Sequence, residues 1–299
     1  MSELSEDKLG EFARDGCAVI EGFLSESEIA ELQQRIGEML EGYNASEHPA
    51  ISFETGQSTQ YFFESSDKIS YFLENDKQAV NKIGHGLHIL EPVFKKLTHS
   101  AKVKQIAAQL GYKDPRVLQS MVICKQPGVG GAVPLHQDST FLFTEPLSAC
   151  GFWLALEDCT QENGCLEYVP GSHRTAAVER RFVRTQDDAG TEMVDIAPVA
   201  YHSSHLPSLD EAHYCGSQKG DKPESNSGTP KTDSDTPCMP IEVSAGALVL
   251  IHGQVLHKSA HNHSAKSRWI YTFHIIEGGC GYDRRNWLQM HDGADLTRL

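Results

Sequence analysis

The sequence predicts a mainly β protein, a sandwich or a barrel, flanked on its N-terminal side by helices. From Val117 onward, short apolar runs alternate with Gly, Pro, Asn and Asp, with no helix-length pattern between them. Before that point the texture is mixed and mainly helical. At 299 residues, with 39% hydrophobic and 22% charged residues, the chain has a globular composition and enough length for a sizeable core. One domain over 1–299 is expected, with a helical flank at 1–116, a β core at 117–280 and a tail at 281–299.

Cys17-Ala18-Val19-Ile20 is a short apolar run suited to a strand. Ser25-Glu26-Ser27-Glu28 reads as a capping box, in which Ser25 and Glu28 satisfy amides that a helix start leaves orphaned. Ile29, Leu32, Ile36, Met39 and Leu40 follow it at helical spacing. Val103, Ile106, Ala107 and Leu110 form a second amphipathic stretch, which Gly111 closes. Val117–Lys125, Gly151–Leu156, Cys165–Val169, Ala247–His252 and Arg268–Ile276 then read as strands. Between Tyr201 and Pro240 the composition shifts again, and Ser217 to Pro237 holds no Val, Ile, Leu or aromatic residue. Such a segment cannot bury enough apolar surface to offset the entropy of ordering it. A mobile insertion near 201–240 is expected, either a lid or tolerated padding.

The net charge of -15 and a pI near 5.4 argue against a general nucleic-acid surface. The longest apolar stretch, around Ala247 to Ile251, falls well short of a membrane span. Eight scattered cysteines show no C-x-x-C pair and no zinc spacing, and no apolar leader precedes them. Free thiols in a reducing compartment are expected. Thr297-Arg298-Leu299 is not the peroxisomal Ser-Lys-Leu signal, so a cytoplasmic location is the expectation.

The chemistry centres on His136-Gln137-Asp138, answered downstream by His257 and, eleven residues later, by Arg268. In a strand, residues i and i+2 share a face, so His136 and Asp138 can reach one ion together. Two imidazoles and one carboxylate on one side of a metal leave its other positions open, the pattern of non-haem iron(II) oxygenases. Arg268 supplies a fixed bidentate cation suited to the far carboxylate of an organic acid. Metal and acid together suggest 2-oxoglutarate chemistry.

Each residue has a plainer competing reading. His-x-Asp alone is weak in a chain of 15 histidines, and His136 could be a solvated loop residue. Arg268 could form an ordinary strand-end salt bridge. His252 competes with His257, but Gly253 separates them and the spacing to Arg268 favours His257. Alternation puts Arg268, Ile270, Thr272 and His274 on one face and Trp269, Tyr271 and Phe273 on the other. Cys165 lacks a His/Asn partner pattern and reads as buried strand material. The pairs His85/His88 and His202/His205 have i, i+3 spacing without a completing ligand, so they are expected at the surface.

An ordered series of segments adds to this reading. It runs through Asp15-Gly16, Phe23-Leu24-Ser25, Pro134-Leu135-His136-Gln137-Asp138, Trp153 with Glu157-Asp158, and Asn163-Gly164-Cys165-Leu166. It continues through Pro170-Gly171-Ser172-His173 and His257-Lys258-Ser259 to Arg268. Over nearly the whole chain, excluding roughly Tyr201 to Pro240, the series resembles the phytanoyl-CoA dioxygenase family of iron(II)/2-oxoglutarate oxygenases. Asn81-Lys82-Ile83-Gly84-His85, Gln119-Ser120-Met121 and Glu277 to Trp287-Leu288-Gln289 look like one member of that family in particular.

The resemblance implies a double-stranded β-helix core (a jelly-roll, cupin-like) with flanking helices. It implies Fe(II) on His136, Asp138 and His257, with 2-oxoglutarate chelating the metal and its far carboxylate on Arg268 and Ser259. Lys82, Met121 and Trp153 would line the co-substrate pocket. O2 is the second co-substrate; succinate and CO2 form, coupled to hydroxylation of a small molecule. An acyl-CoA is the lesser option, for want of a clear basic patch. Related halogenases lack the carboxylate so that chloride can bind iron, and the presence of Asp138 therefore favours oxidation. A monomer is expected, without nucleic-acid or membrane partners. The rivals are a catalytically idle barrel that senses or binds a small acid, and a zinc hydrolase, which would give Arg268 and Trp153 no role.

Overall fold

The computed structural model describes residues 4–44, 46–49, 51–52, 59–74, 79–187, 189–201 and 237–299. Most of the insertion expected near 201–240, together with the pair His202/His205, lies outside the described residues.

Helix α1 (Glu6–Asp15) ends at Gly16, whose φ of 78° turns the chain into β1 (Cys17–Ile20). Helix α2 (Glu26–Glu41) starts on the expected capping box: the Glu28 amide donates to Ser25 Oγ at 3.3 Å, and the Ser25 amide to Glu28 Oε2 at 2.8 Å. Two more strands follow, β2 (Ile69–Leu73) and β3 (Val80–His85), before the helices Pro92–Thr98 and Ala101–Gln109. The remaining strands are β4 (Pro115–Lys125), β5 (Val133–His136), β6 (Cys150–Ala155), β7 (Leu166–Tyr168), β8 (Val178–Arg184) and β9 (Thr191–Val199). After them come β10 (Met239–Ile241), β11 (Leu248–His252), β12 (His257–Ser259), β13 (Arg268–Glu277) and β14 (Thr297–Arg298).

The strands form a major sheet in the order β1-β11-β6-β13-β4-β3-β2, with β14 on β4, and a minor sheet in the order β10-β7-β12-β5; β8 and β9 make a separate ribbon. Trp153, Val249 and Ile270 of the major sheet share one apolar cluster with Leu166 and Ile241 of the minor sheet, so the sheets face each other. This is the jelly-roll core. The outer face of the major sheet presents Ile83, Val122, Phe152, Leu154, Leu248, Leu250, Tyr271 and Phe273 to the helices, which answer with Leu32, Ile36, Phe94, Val103 and Ile106. Tyr271 meets Phe94 ring to ring at 4.7 Å and shares a 2.6 Å hydrogen bond with Thr98.

Two features depart from the sequence reading. The first 116 residues supply β2 and β3 as well as β1 and the helices. Ser70, Lys82 and Gly84 interrupt the apolar runs of β2 and β3, and their register places all three on one face. His85 and His88 are buried rather than at the surface. His85 Nδ1 lies 2.8 Å from Ser65 Oγ, and His88 Nδ1 lies 2.8 Å from Ser120 Oγ. Burial pushes both imidazoles down to about 3, so they are neutral parts of the packing.

Candidate metal centre

His136 ends β5 and His257 opens β12, and the two are direct partners across the minor sheet. Their ring centroids are 4.2 Å apart. Each ring is oriented by a backbone carbonyl two residues before it: His136 Nδ1 lies 2.8 Å from Pro134 O, and His257 Nδ1 lies 3.1 Å from Val255 O. A carbonyl only accepts, so each Nδ1 carries a proton, and in the neutral ring Nε2 is then the atom with a free lone pair for a metal. Burial, and then His136, push His257 down to about 4, which favours the neutral, ligating form.

Asp138 arrives differently from the expectation of a single strand. It opens the one-turn helix Asp138–Phe141, but Gln137 before it is extended, at φ -116° and ψ 131°, so the i, i+2 relation survives. The Gln137 side chain anchors this junction, its Nε2 donating to Gln254 O at 2.7 Å and Ala176 O at 3.1 Å. Asp138 Oδ1 lies 3.5 Å from His136 Nε2 and 3.7 Å from His257 Nε2. The three ligand atoms lie within 4.8 Å of one another, a set that could hold a metal ion. Burial alone would raise the Asp138 carboxyl, yet His257 and His274 hold it well below the usual carboxylate range.

The major sheet brings together the side chains expected around a co-substrate. Directly opposed residues in an antiparallel sheet share a face. Thr272 on β13 is opposite both Met121 on β4 and Trp153 on β6, and Met121 is opposite Gly84, two residues from Lys82. Arg268 is on the same face as Thr272 by alternation. Ser259 comes from the facing sheet, where it pairs with Leu166. All five of these residues, Lys82, Met121, Trp153, Ser259 and Arg268, are buried. A side chain at Gly84 would come within 2.9 Å of Met121 Cγ, so glycine there leaves room for the methionine.

Arg268 is only 2% exposed, its guanidinium lies 5.6 Å from the Trp153 ring, and its Nε has no hydrogen-bond partner. No carboxylate pairs with it among the described residues. Glu157 acts on it through space, but accepts from Ser267 Oγ at 2.8 Å and the Trp269 amide at 2.7 Å. The competing strand-end salt bridge is therefore not what the described residues form.

Sequence reasoning missed three residues of this site. His274 Nε2 lies 3.2 Å from Asp138 Oδ2, and Gln119 Nε2 lies 3.4 Å from His274 Nδ1. Lys125, opposite Arg268 and 1% exposed, donates to Gly131 O at 2.5 Å and Ala260 O at 2.6 Å. Burial first, then Arg268, push its ammonium down to about 6. The alternation that carried Arg268 inward also carried His274, the available signal. Gln119 fell in a segment that carried the resemblance but was given no role there, and nothing local in the sequence marked Lys125.

The phytanoyl-CoA dioxygenase (PhyH) family profile matches residues 12–270. The chain belongs to the phytanoyl-CoA dioxygenase family. Within that family it is 41% identical over 313 residues to phytanoyl-CoA dioxygenase domain-containing protein 1 of Bos taurus, covering 97% of this chain and 96% of the relative. The protein of the same name in Danio rerio is 39% identical over 321 residues, covering 100% and 99%. Among solved structures, EctD from S. alaskensis with bound Fe superposes with a TM-score of 0.61 at 19% identity, covering 99% of this chain and 86% of that one. The epimerase SnoN in complex with Fe3+, alpha ketoglutarate and nogalamycin RO gives 0.59 at 16% identity, covering 98% and 93%. At these identities the likeness speaks for the jelly-roll fold that the family member shares with them. Among the described residues, no helix is long and apolar enough to cross a membrane.

Proposed function

We propose that this family member is an iron(II)- and 2-oxoglutarate-dependent dioxygenase that acts on a small molecule. His136, Asp138 and His257 hold the metal, through two neutral imidazoles and one carboxylate whose charge offsets part of the ion's. Iron(II), when bound, supplies the redox chemistry that couples conversion of 2-oxoglutarate and O2 to succinate and CO2 with oxidation of the substrate. Arg268 and Ser259 take the far carboxylate of 2-oxoglutarate, while Lys82, Met121 and Trp153 wall its chain and exclude water.

The observation that carries this reading is the buried Arg268 guanidinium with no carboxylate of its own, on the face that leads to the His-Asp-His set. A buried unpaired cation is costly, and an organic dianion bound at the metal offsets that cost. Arginines on and near the β8–β9 ribbon do not favour a CoA phosphate. Arg181 pairs with Asp283 at 2.9 Å, Arg180 with Asp195 at 3.4 Å and Arg285 with Glu192 at 3.7 Å. A small substrate without a nucleotide is the better match.

The test is succinate formation by the purified protein with iron(II), 2-oxoglutarate and air, followed by mass spectrometry. Succinate that depends on both iron and oxygen is expected. Protein that binds one iron and one 2-oxoglutarate yet forms no succinate would instead be a sensor or scaffold.

A further inference from the structure

We propose that His274 is a positioning residue of the metal centre, which holds Asp138 so that a single carboxylate oxygen faces the two histidine ligands. The proposal rests on the metal-binding reading above. Asp138 presents its two oxygens to different partners. Oδ1 faces His136 Nε2 at 3.5 Å and His257 Nε2 at 3.7 Å, while Oδ2 lies 3.2 Å from His274 Nε2. An ionised carboxylate only accepts, so His274 Nε2 must carry a proton. In the neutral imidazole Nδ1 is then an acceptor, and Gln119 presents its amide nitrogen there at 3.4 Å. The donor and acceptor roles agree along the whole line, from Gln119 through His274 to Asp138.

The packing leaves this line little freedom. Gln119 and His274 are direct partners on β4 and β13, and His274 is opposite Gly151 on β6. A Cβ at Gly151 would stand 3.3 Å from the His274 ring and 3.5 Å from Asp138 Oδ2, so glycine there lets the imidazole lie beside the carboxylate. Asp138 comes from a loop junction beyond the minor sheet, whereas His274 comes from a central strand of the major sheet. The contact therefore ties a proposed ligand from the margin of one sheet to a central strand of the other. Outer partners of this kind typically change metal affinity by about 10–100-fold.

The experiment compares His274→Gln, whose amide nitrogen can replace Nε2, with His274→Met, which has similar length and no donor. Anaerobic titration with cobalt(II) gives the affinity, and the visible d–d spectrum reports how many ligand atoms surround the ion. Melting of the metal-free proteins checks the fold. His274→Met should bind cobalt(II) roughly 10-fold or more weakly, with altered band intensities as the carboxylate is released to turn. His274→Gln should recover most of the affinity and the spectrum. Gln119→Leu, which frees the imidazole to rotate, should shift both in the direction of His274→Met but less. Equal affinities and spectra for the Gln and Met variants, or a Met variant identical to wild type, would overturn the positioning role. Wild-type protein that binds no cobalt(II) or iron(II) would overturn the metal-binding reading itself, a separate outcome.

Discussion

Of the proposed ligands, Asp138 is the one whose removal should be most damaging, because among the described residues no other carboxylate joins the His-Asp-His set. Asp138→Ala is expected to abolish 2-oxoglutarate turnover with an unchanged circular dichroism spectrum; normal succinate formation at controlled iron would dismiss the triad. Arg268→Leu should act on the other half of the site. Breaking a desolvated charge pair typically costs about 2–5 kcal/mol, so 2-oxoglutarate affinity should fall roughly 30-fold or more. Iron affinity should hold, as should that of a 2-oxo acid without the second carboxylate; anaerobic titration reads all three. His88 allows a pH test away from the metal. Its folded value of about 3 lies below the ordinary 6.5, so the unfolded chain takes up the proton first as pH falls. The associated stability is complete above 6.5 and is lost as pH falls towards 3, by at most about 1.4 kcal/mol per unit. His88→Gln should flatten that slope in urea unfolding, and parallel slopes would contradict it. The His136-Asp138-His257 set was legible as a candidate because metal chemistry needs a rare set of residue types, and the structure brings the three together. Gln119 and Lys125 were not, since amides and lysines are common and only sheet register brings them to the site.

Elements were legible in proportion to their apolar continuity. β4, β6, β11 and β13 are largely apolar on both faces, because helices cover one side of the major sheet and the minor sheet covers the other. Ser70, Lys82 and Gly84 break that continuity in β2 and β3, and β5, β10 and β12 are too short to show a period. Lys125 shows how such short strands are held. Its ammonium bridges the carbonyl of Gly131, just before β5, and that of Ala260, just after β12, while the Asn262 amide donates to Gly130 O at 2.9 Å. The clasp thus ties together the two strands that carry His136 and His257. Lys125→Met should leave the major sheet intact and loosen these loops. Faster hydrogen exchange at the Asn262 amide, with β13 unchanged, is the expected result; unchanged exchange at Asn262 would show that the strands hold without it.

For the molecule as a whole, ligands that bind only the folded state should raise its stability. Manganese(II) with 2-oxoglutarate, each at 100 times its Kd, should contribute about 2.7 kcal/mol per independent site in a thermal melt under nitrogen. Arg268→Leu should keep the metal's share and lose the acid's, and an equal gain in both proteins would move the acid's anchor elsewhere. β13 has a further consequence. Arg268 and His274 stand six residues apart on it, and the pairing with β4 runs between them without a bulge. At about 3.3 Å per residue the interval is ~20 Å. A strand bonded on both sides can neither stretch nor slip by a single residue without turning its side chains to the wrong face. If the proposed roles hold, it is a fixed gauge: the guanidinium enters from one mark, Asp138 is held at the other, and the space left between them sets the length of acid that fits. Exchanging individual wall residues can change the width of that opening, but its length changes only if the strand itself is re-cut by whole residue pairs.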